Sequence, residues 1–213
     1  MAITFSGSNY LLTTGSVTAL TAVTIAFWAT FTSVSNASIL GINANYKLII
    51  KSNKLGNVLN ATGNGTASAT NLTTNTRIHI VATCDRGGTN VHNIYFNGVL
   101  DATAAGSNNT ASSGTFGIGT RNGLSSGMAG TMEDLRMYNR VLAVSEIETI
   151  YACKGSDNIV NGLVGHWLLN ELAAGVTVSG TGSVKDLAGS GYNATPTGSP
   201  VYADSYLTLR RPL

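Results

Sequence analysis

Adjacent carboxylates at Glu133 and Asp134, histidines at His79, His92 and His166, and thiols at Cys84 and Cys153 are the side chains of this 213-residue sequence best suited to chemistry. A retaining glycosidase needs two carboxyl groups facing each other about 5 Å apart. Glu133 and Asp134 are neighbours in a segment of strand character, so alternation is expected to send them to opposite faces. The other acidic residues offer no pair by spacing. None of the three histidines accompanies a Ser or Cys in a nucleophile motif, and a hydrogen-bonded structural role is the expectation for them. Cys84 and Cys153 form no Cys-x-x-Cys and no zinc-spaced cluster, which leaves two buried free thiols. No catalytic residue is assigned.

Composition excludes further classes. Charged residues are 10% of the chain, 12 basic and 10 acidic, for a net charge of +2. An average soluble domain carries about a quarter. Polarity comes instead from 27 Thr, 21 Asn and 25 Gly. Without a visible Lys/Arg stripe there is no footprint for nucleic acid or an anionic membrane. A 43% apolar chain of low net charge is not disordered, and one of this length buries roughly 70% of its unfolded surface. The apolar stretch Ala19 to Phe31 is shorter than the roughly 20 residues of a membrane span and carries Thr21, Thr24 and Thr30. No basic segment marks it as a secretion signal, so a soluble protein folded in the cytoplasm of the producing cell is expected.

The elements that must position these residues are strands. Short β-branched and aromatic segments alternate with Gly/Asn/Ser clusters, the spacing of an all-β sandwich. Strands are expected at Ile3 to Phe5, Thr21 to Thr30, Ser38 to Ile42, Tyr46 to Lys51, Thr76 to Asp85, Val91 to Phe96, Val99 to Thr103, Thr115 to Thr120, Gly130 to Tyr138, Leu163 to Asn170 and Tyr206 to Leu209. In Arg77 to Cys84 the apolar residues fall on both parities, as in a strand covered on both faces. Asn97-Gly98 supplies the two positive-φ residues of a type I′ turn. One helix is expected, Ala143 to Ala152, with Ser145 and Glu148 as a capping box and Gly155 as its stop.

These segments resemble the concanavalin A-like lectin and glucanase superfamily, in its laminin-G-like jelly-roll branch. Phe5-Ser-Gly7 with Tyr10 is similar to the opening strand, and Val23-Thr-Ile-Ala-Phe-Trp28 to the strand with the core Trp. Ile78-His-Ile-Val-Ala-Thr-Cys-Asp85 resembles a central strand, with Cys84 where the family has Tyr. Ile94 to Leu100 resembles its hairpin, and Ala129 to Leu142 with Glu146, Ile147 and Tyr151 its closing strand and helix. The resemblance implies an antiparallel β-sandwich jelly roll with one short helix. Leu163 to Glu171 and Asp186 to Asn193 resemble a strand and loop that in the family come first. Residues 157–213 are therefore expected to complete the same sandwich in permuted order, or that of a neighbouring subunit.

The resemblance also bears on sites. The family's glucanases carry alternating carboxylates in a Glu-x-Asp-x-Glu strand, which this sequence lacks. His79 occupies a structural position of the family. Some members bind calcium through an opening-strand Asp and a loop; Asp186 and Asn193 are the loop candidates here, but Ser6 stands where the Asp would be. Glycan binding is open: amide-rich loops at Asn53 to Thr76 and Ser107 to Thr110 offer polar groups but no aromatic. The leading expectation is a non-catalytic structural protein, a decoration or cement protein of a bacteriophage virion that forms a homo-oligomer, with Arg210 and Arg211 docking on a partner. A carbohydrate-binding module is the alternative, and a glycoside hydrolase the third.

Overall fold

The computed structural model describes residues 1–43, 46–58, 65–105, 113–121, 126–205 and 207. In chain order the elements are β1 (Ala2–Ser6), β2 (Tyr10–Val17), β3 (Ala22–Ser33), β4 (Ala37–Asn43), β5 (Tyr46–Lys51), β6 (Lys54–Val58), β7 (Gly65–Ala67), β8 (Arg77–Asp85), β9 (Val91–Phe96), β10 (Val99–Ala105), β11 (Gly114–Ile118), β12 (Ala129–Tyr138), α1 (Val144–Cys153), β13 (Leu163–Trp167), β14 (Ala194–Thr197) and β15 (Val201–Ala203). An eight-stranded antiparallel sheet runs β10-β9-β8-β3-β12-β1-β15, with β13 also on β12. A seven-stranded sheet runs β14-β2-β11-β4-β5-β6-β7. The two face each other as the sandwich that the strand pattern predicts and the jelly roll that the resemblance implies.

Alternation decides what lies between them. Ile25, Phe27, Ala29 and Phe31 of β3 meet Leu11, Leu40, Leu48, Ile50 and Phe116 of the second sheet in the core. The other face of the first sheet is also covered: Ala26, Val81, Tyr95 and Tyr138 pack under Leu142 and the helix residues Ile147 and Ile150. That double burial is why β8 is apolar on both parities. Asn97 and Gly98 take φ 51° and 82°, the type I′ turn expected between β9 and β10.

The C-terminal residues join the same two sheets. β1 pairs with residues 129–132 of β12, and β13 takes the rest of that edge, pairing Leu135 with Trp167. β14 lies on β2, and β15 on β1.

Several expectations need correction. β2, β6 and β7 were not legible: Gly15, Gly56 and Gly65 break their patterns, and pairing with better formers recruits them. β13 ends at Trp167, short of Asn170. Within Tyr206 to Leu209 only Leu207 is described. The helix runs one residue later at each end than expected, and its N-cap lies two residues before Ser145 of the expected box. Its N-cap is Ala143, which has no side-chain acceptor, so only half a box forms: Glu146 Oε2 accepts from Ala143 N at 2.8 Å. Lys154, left-handed at φ 48°, and Gly155 end it. Cys84 is buried as expected, but Cys153 in the last turn is exposed. No helix among the described residues is long and apolar enough to cross a membrane.

Candidate functional site

Glu133 and Asp134 do not point to opposite faces. The register slips between Glu133 and Arg136, and Asp134 is left-handed at φ 49°, the extra residue of a β-bulge. Met132, Leu135 and Met137 stay in the core, so both carboxylates lie on the outer face under the helix layer. There they are neutralised. Arg77 Nε donates to Glu133 Oε1 at 2.8 Å, and the Ser205 hydroxyl donates to Oε2. Arg136 donates to both oxygens of Asp134 at 3.0 Å and to Asp157 at 2.7 Å, while His166 Nε2 lies 2.8 Å from Asp134 Oδ1. Burial pushes the Asp134 carboxyl up, but the His166 hydrogen bond and the Arg136 guanidinium outweigh it and hold it at about 2. The cluster locks β12, β13 and the segment after α1 together.

The His79 ring is held by stacking and not, as expected, by hydrogen bonds. It lies 4.9 Å from Trp28 and 5.9 Å from Tyr151, with no partner for Nδ1, and burial lowers its pKa to about 4. His92 Nε2 lies 3.9 Å from Cys84 Sγ; burial raises that thiol to about 11, which makes it inert.

Asp186 and Asn193 do meet, but not as a cation cradle. Asp186 Oδ1 accepts from His166 N and Ala188 N, Oδ2 accepts from Tyr192 N, and Asn193 Oδ1 accepts from Asp186 N. Every side-chain oxygen of the pair faces an N–H, so the residues present do not fit calcium, which wants six to eight oxygens turned inward. They staple the loop to β13. Arg210 and Arg211 lie outside the described residues.

A different site stands on the open face of the seven-stranded sheet. Along β5, Tyr46, Leu48 and Ile50 enter the core, so Lys47, Ile49 and Lys51 face outward. Two adjoining cavities of about 320 Å³ and 250 Å³ share these three residues. Asn36, Ser38, Arg121 and Ser126 line the first, and Ser52, Lys54, Gly56 and Ala67 the second. Lys51 opposes Lys54 across β5 and β6. Among the described residues, no carboxylate and no aromatic ring lines either cavity.

This groove was invisible in the composition. A signal existed: no Asp or Glu occurs before Asp85, while Lys47, Lys51 and Lys54 fall within eight residues.

Two twisted antiparallel sheets, one face covered by a helix and the other open and grooved, define a lectin-like sandwich. A laminin-G-like model of the concanavalin A-like lectin/glucanases superfamily matches residues 5–148, and the chain belongs to that superfamily. A search of curated proteins finds no match. Among solved structures the chain is similar to a presumed carbohydrate binding protein from Bacteroides ovatus, with TM-score 0.77 and 19% identity over 98% of this chain. It spans 61% of that protein's length. It is also similar to the heptameric SAP-like pentraxin from Limulus polyphemus, with TM-score 0.62 and 18% identity over 73% of this chain and 83% of that one. The botulinum neurotoxin serotype D ligand binding domain, solved in complex with N-acetylneuraminic acid, gives TM-score 0.55 and 15% identity over 75% and 43%. At these identities the likeness is one of fold.

Proposed function

We propose that the chain is a non-catalytic carbohydrate-binding module whose site is the groove across β4, β5, β6 and β7. The observation that carries this reading is two joined cavities on an open sheet face, where hydroxyl, amide and cationic groups stand among Ile49, Ile50 and small apolar residues and where, among the described residues, no carboxylate stands. Small-molecule sites combine concavity with a few convergent polar groups, and a glycosidase needs a carboxylate pair at the bond it cleaves. The carbohydrate-binding description of the Bacteroides protein and the sugar bound by the neurotoxin domain support the same ligand class.

A glycan array probed with the full chain and with Ser38→Trp and Ala67→Trp, which fill one cavity each, tests this. Binding to one sugar class is expected, with a loss of about tenfold or more in at least one filled variant at unchanged Tm. Full binding in both variants, or none to any glycan in the parent, overturns it.

The finer role of a homo-oligomeric bacteriophage decoration protein rests on another surface. Val99 and Leu100 are 70% and 51% exposed on β10, an edge strand of the eight-stranded sheet among the described residues. An apolar pair on an open edge suits a protein contact. A stable oligomer in solution that Val99→Lys with Leu100→Lys dissolves is the expected outcome; a monomer at every concentration removes the oligomer.

A further inference from the structure

We infer that the groove takes an acidic glycan, whose carboxylate or sulfate group sits among Lys47, Lys51 and Arg121. This rests on the groove being the glycan site. The cations arrive from two sides. Strand alternation turns Lys47 and Lys51 outward from β5. Arg121 crosses from the segment after β11: a Cβ on Gly41 would lie 3.1 Å from Arg121 Cγ, so the arginine stem packs over that glycine. Gly41 is in turn the register partner of Lys47, which brings Arg121 and Lys47 to one place.

Among the described residues, no carboxylate answers this charge. Among the described residues, the side chains of Lys47, Lys51 and Arg121 make no ion pair and no hydrogen bond. Lys54 differs, since its Nζ donates to the carbonyls of Ser68 and Ala69 at 3.0 and 2.7 Å and ties β6 to the chain after β7. Lys47 is only 8% exposed, and burial followed by the Arg121 charge pushes its ammonium below the usual lysine range. Like charges gathered without a counter-ion are unfavourable in the free protein and are relieved when an anion enters.

The same lining excludes another mode of sugar recognition. With no ring at the cavity walls among the described residues, charge and hydrogen bonds supply the hold in place of stacking on a sugar face. Asn36, Ser38 and Ser126 then suit the uncharged hydroxyls of the sugar. Nucleic acid is disfavoured, since a phosphodiester strand is held along a longer cationic track.

The full chain is titrated with sulfated dextran, polygalacturonate and neutral dextran, beside Lys47→Met, Lys51→Gln and Lys51→Arg. At least one acidic polymer is expected to bind about tenfold or more tighter than neutral dextran, and to weaken about tenfold between roughly 50 and 200 mM salt. Sulfated dextran alone assigns the group as sulfate, and polygalacturonate alone as carboxylate. Lys51→Gln is expected to weaken binding about fivefold, with Lys51→Arg restoring most of it. Lys47→Met is expected to weaken binding at an unchanged or raised Tm, because it removes an unpaired cation; a purely structural lysine would lower the Tm. If neutral dextran binds as tightly as both acidic polymers, or neither acidic polymer binds while the array shows a neutral ligand, the inference falls and the glycan reading stands. A blank array with no polymer bound ends both. A single-stranded oligonucleotide that binds more tightly than either acidic polymer, and is lost in Lys51→Gln, overturns the inference in favour of nucleic acid.

Discussion

Trp28 and His79 are register partners on β3 and β8, and their rings lie 4.9 Å apart with Tyr151 of α1 stacked against both. Arg77 lies 3.8 Å over the Trp28 ring. This stack, with the Asp134 cluster beside it, fastens the helix layer to the eight-stranded sheet and leaves the other sheet's face open.

The stack carries an acid sensitivity. Burial lowers the His79 pKa to about 4, whereas an unfolded histidine titrates near 6.5. The folded value is the lower one, so the unfolded chain takes up the proton first. The stability His79 contributes is whole above about pH 6.5 and is lost as pH falls toward 4, a change on the order of 3 kcal/mol. His79→Phe keeps the rings and drops the basic nitrogen. Urea unfolding at pH 7.5 and 4.5 is expected to show a smaller difference in the variant; an equal difference assigns the sensitivity to another group.

Asp134 sets a second, lower window. Its folded carboxyl titrates at about 2 against about 3.9 unfolded, so its contribution is present above about pH 4 and disappears as pH falls through 2. At neutral pH the cluster is tested by Arg136→Met, which strands Asp134 and Asp157 in a layer where their side chains are 1% and 0% exposed. Removing one partner of a buried ionic group costs about 3–5 kcal/mol. Chemical denaturation is expected to show a loss of that size, and a loss under about 1 kcal/mol would mean the carboxylates are solvated.

What was legible in the sequence was what is local. Asn97-Gly98 encodes its turn because positive φ is a property of those two residues, and β5 shows its bounds because the apolar stretch from Tyr46 to Ile50 ends at Lys51. What escaped depends on partners distant in sequence. β14 contains Pro196, which reads against a strand until its place at a sheet edge is known. The bulge at Asp134 lies in one backbone angle, and no pattern of residue types announces it. The groove escaped because Lys47, Lys51 and Arg121 become neighbours only once β4, β5 and the segment after β11 are side by side.

Gly41 links the groove to the fold. A Cβ there would lie 2.5 Å from the Tyr46 carbonyl oxygen and 3.0 Å from Lys47 Cα, both backbone atoms that cannot swing away. Gly41→Ala is expected to destabilise by about 1–3 kcal/mol and to push Arg121 off its seat. Thermal unfolding reads the first effect. Binding of the acidic polymer reads the second, and is expected to weaken even at temperatures where the variant is fully folded. Unchanged binding would show that Arg121 does not reach the ligand.

The C-terminal segment contributes a core residue as well as edge strands. Trp167 of β13 is fully buried, stacks on Phe116 of the opposite sheet at 5.7 Å and donates from Nε1 to the Tyr192 carbonyl at 2.9 Å. One side chain therefore joins both sheets to the loop that Asp186 organises. Trp167→Ala is expected to cost about 3–5 kcal/mol, and a chain ended at Ser156 to be insoluble or unfolded, because Phe116 and the core edges of β2 and β12 would face water. Circular dichroism and solution mass of the two chains check this. A truncated chain that stays folded and monomeric, beside a full-length oligomer, would mean that the segment is exchanged between subunits and that the sandwich stands without it.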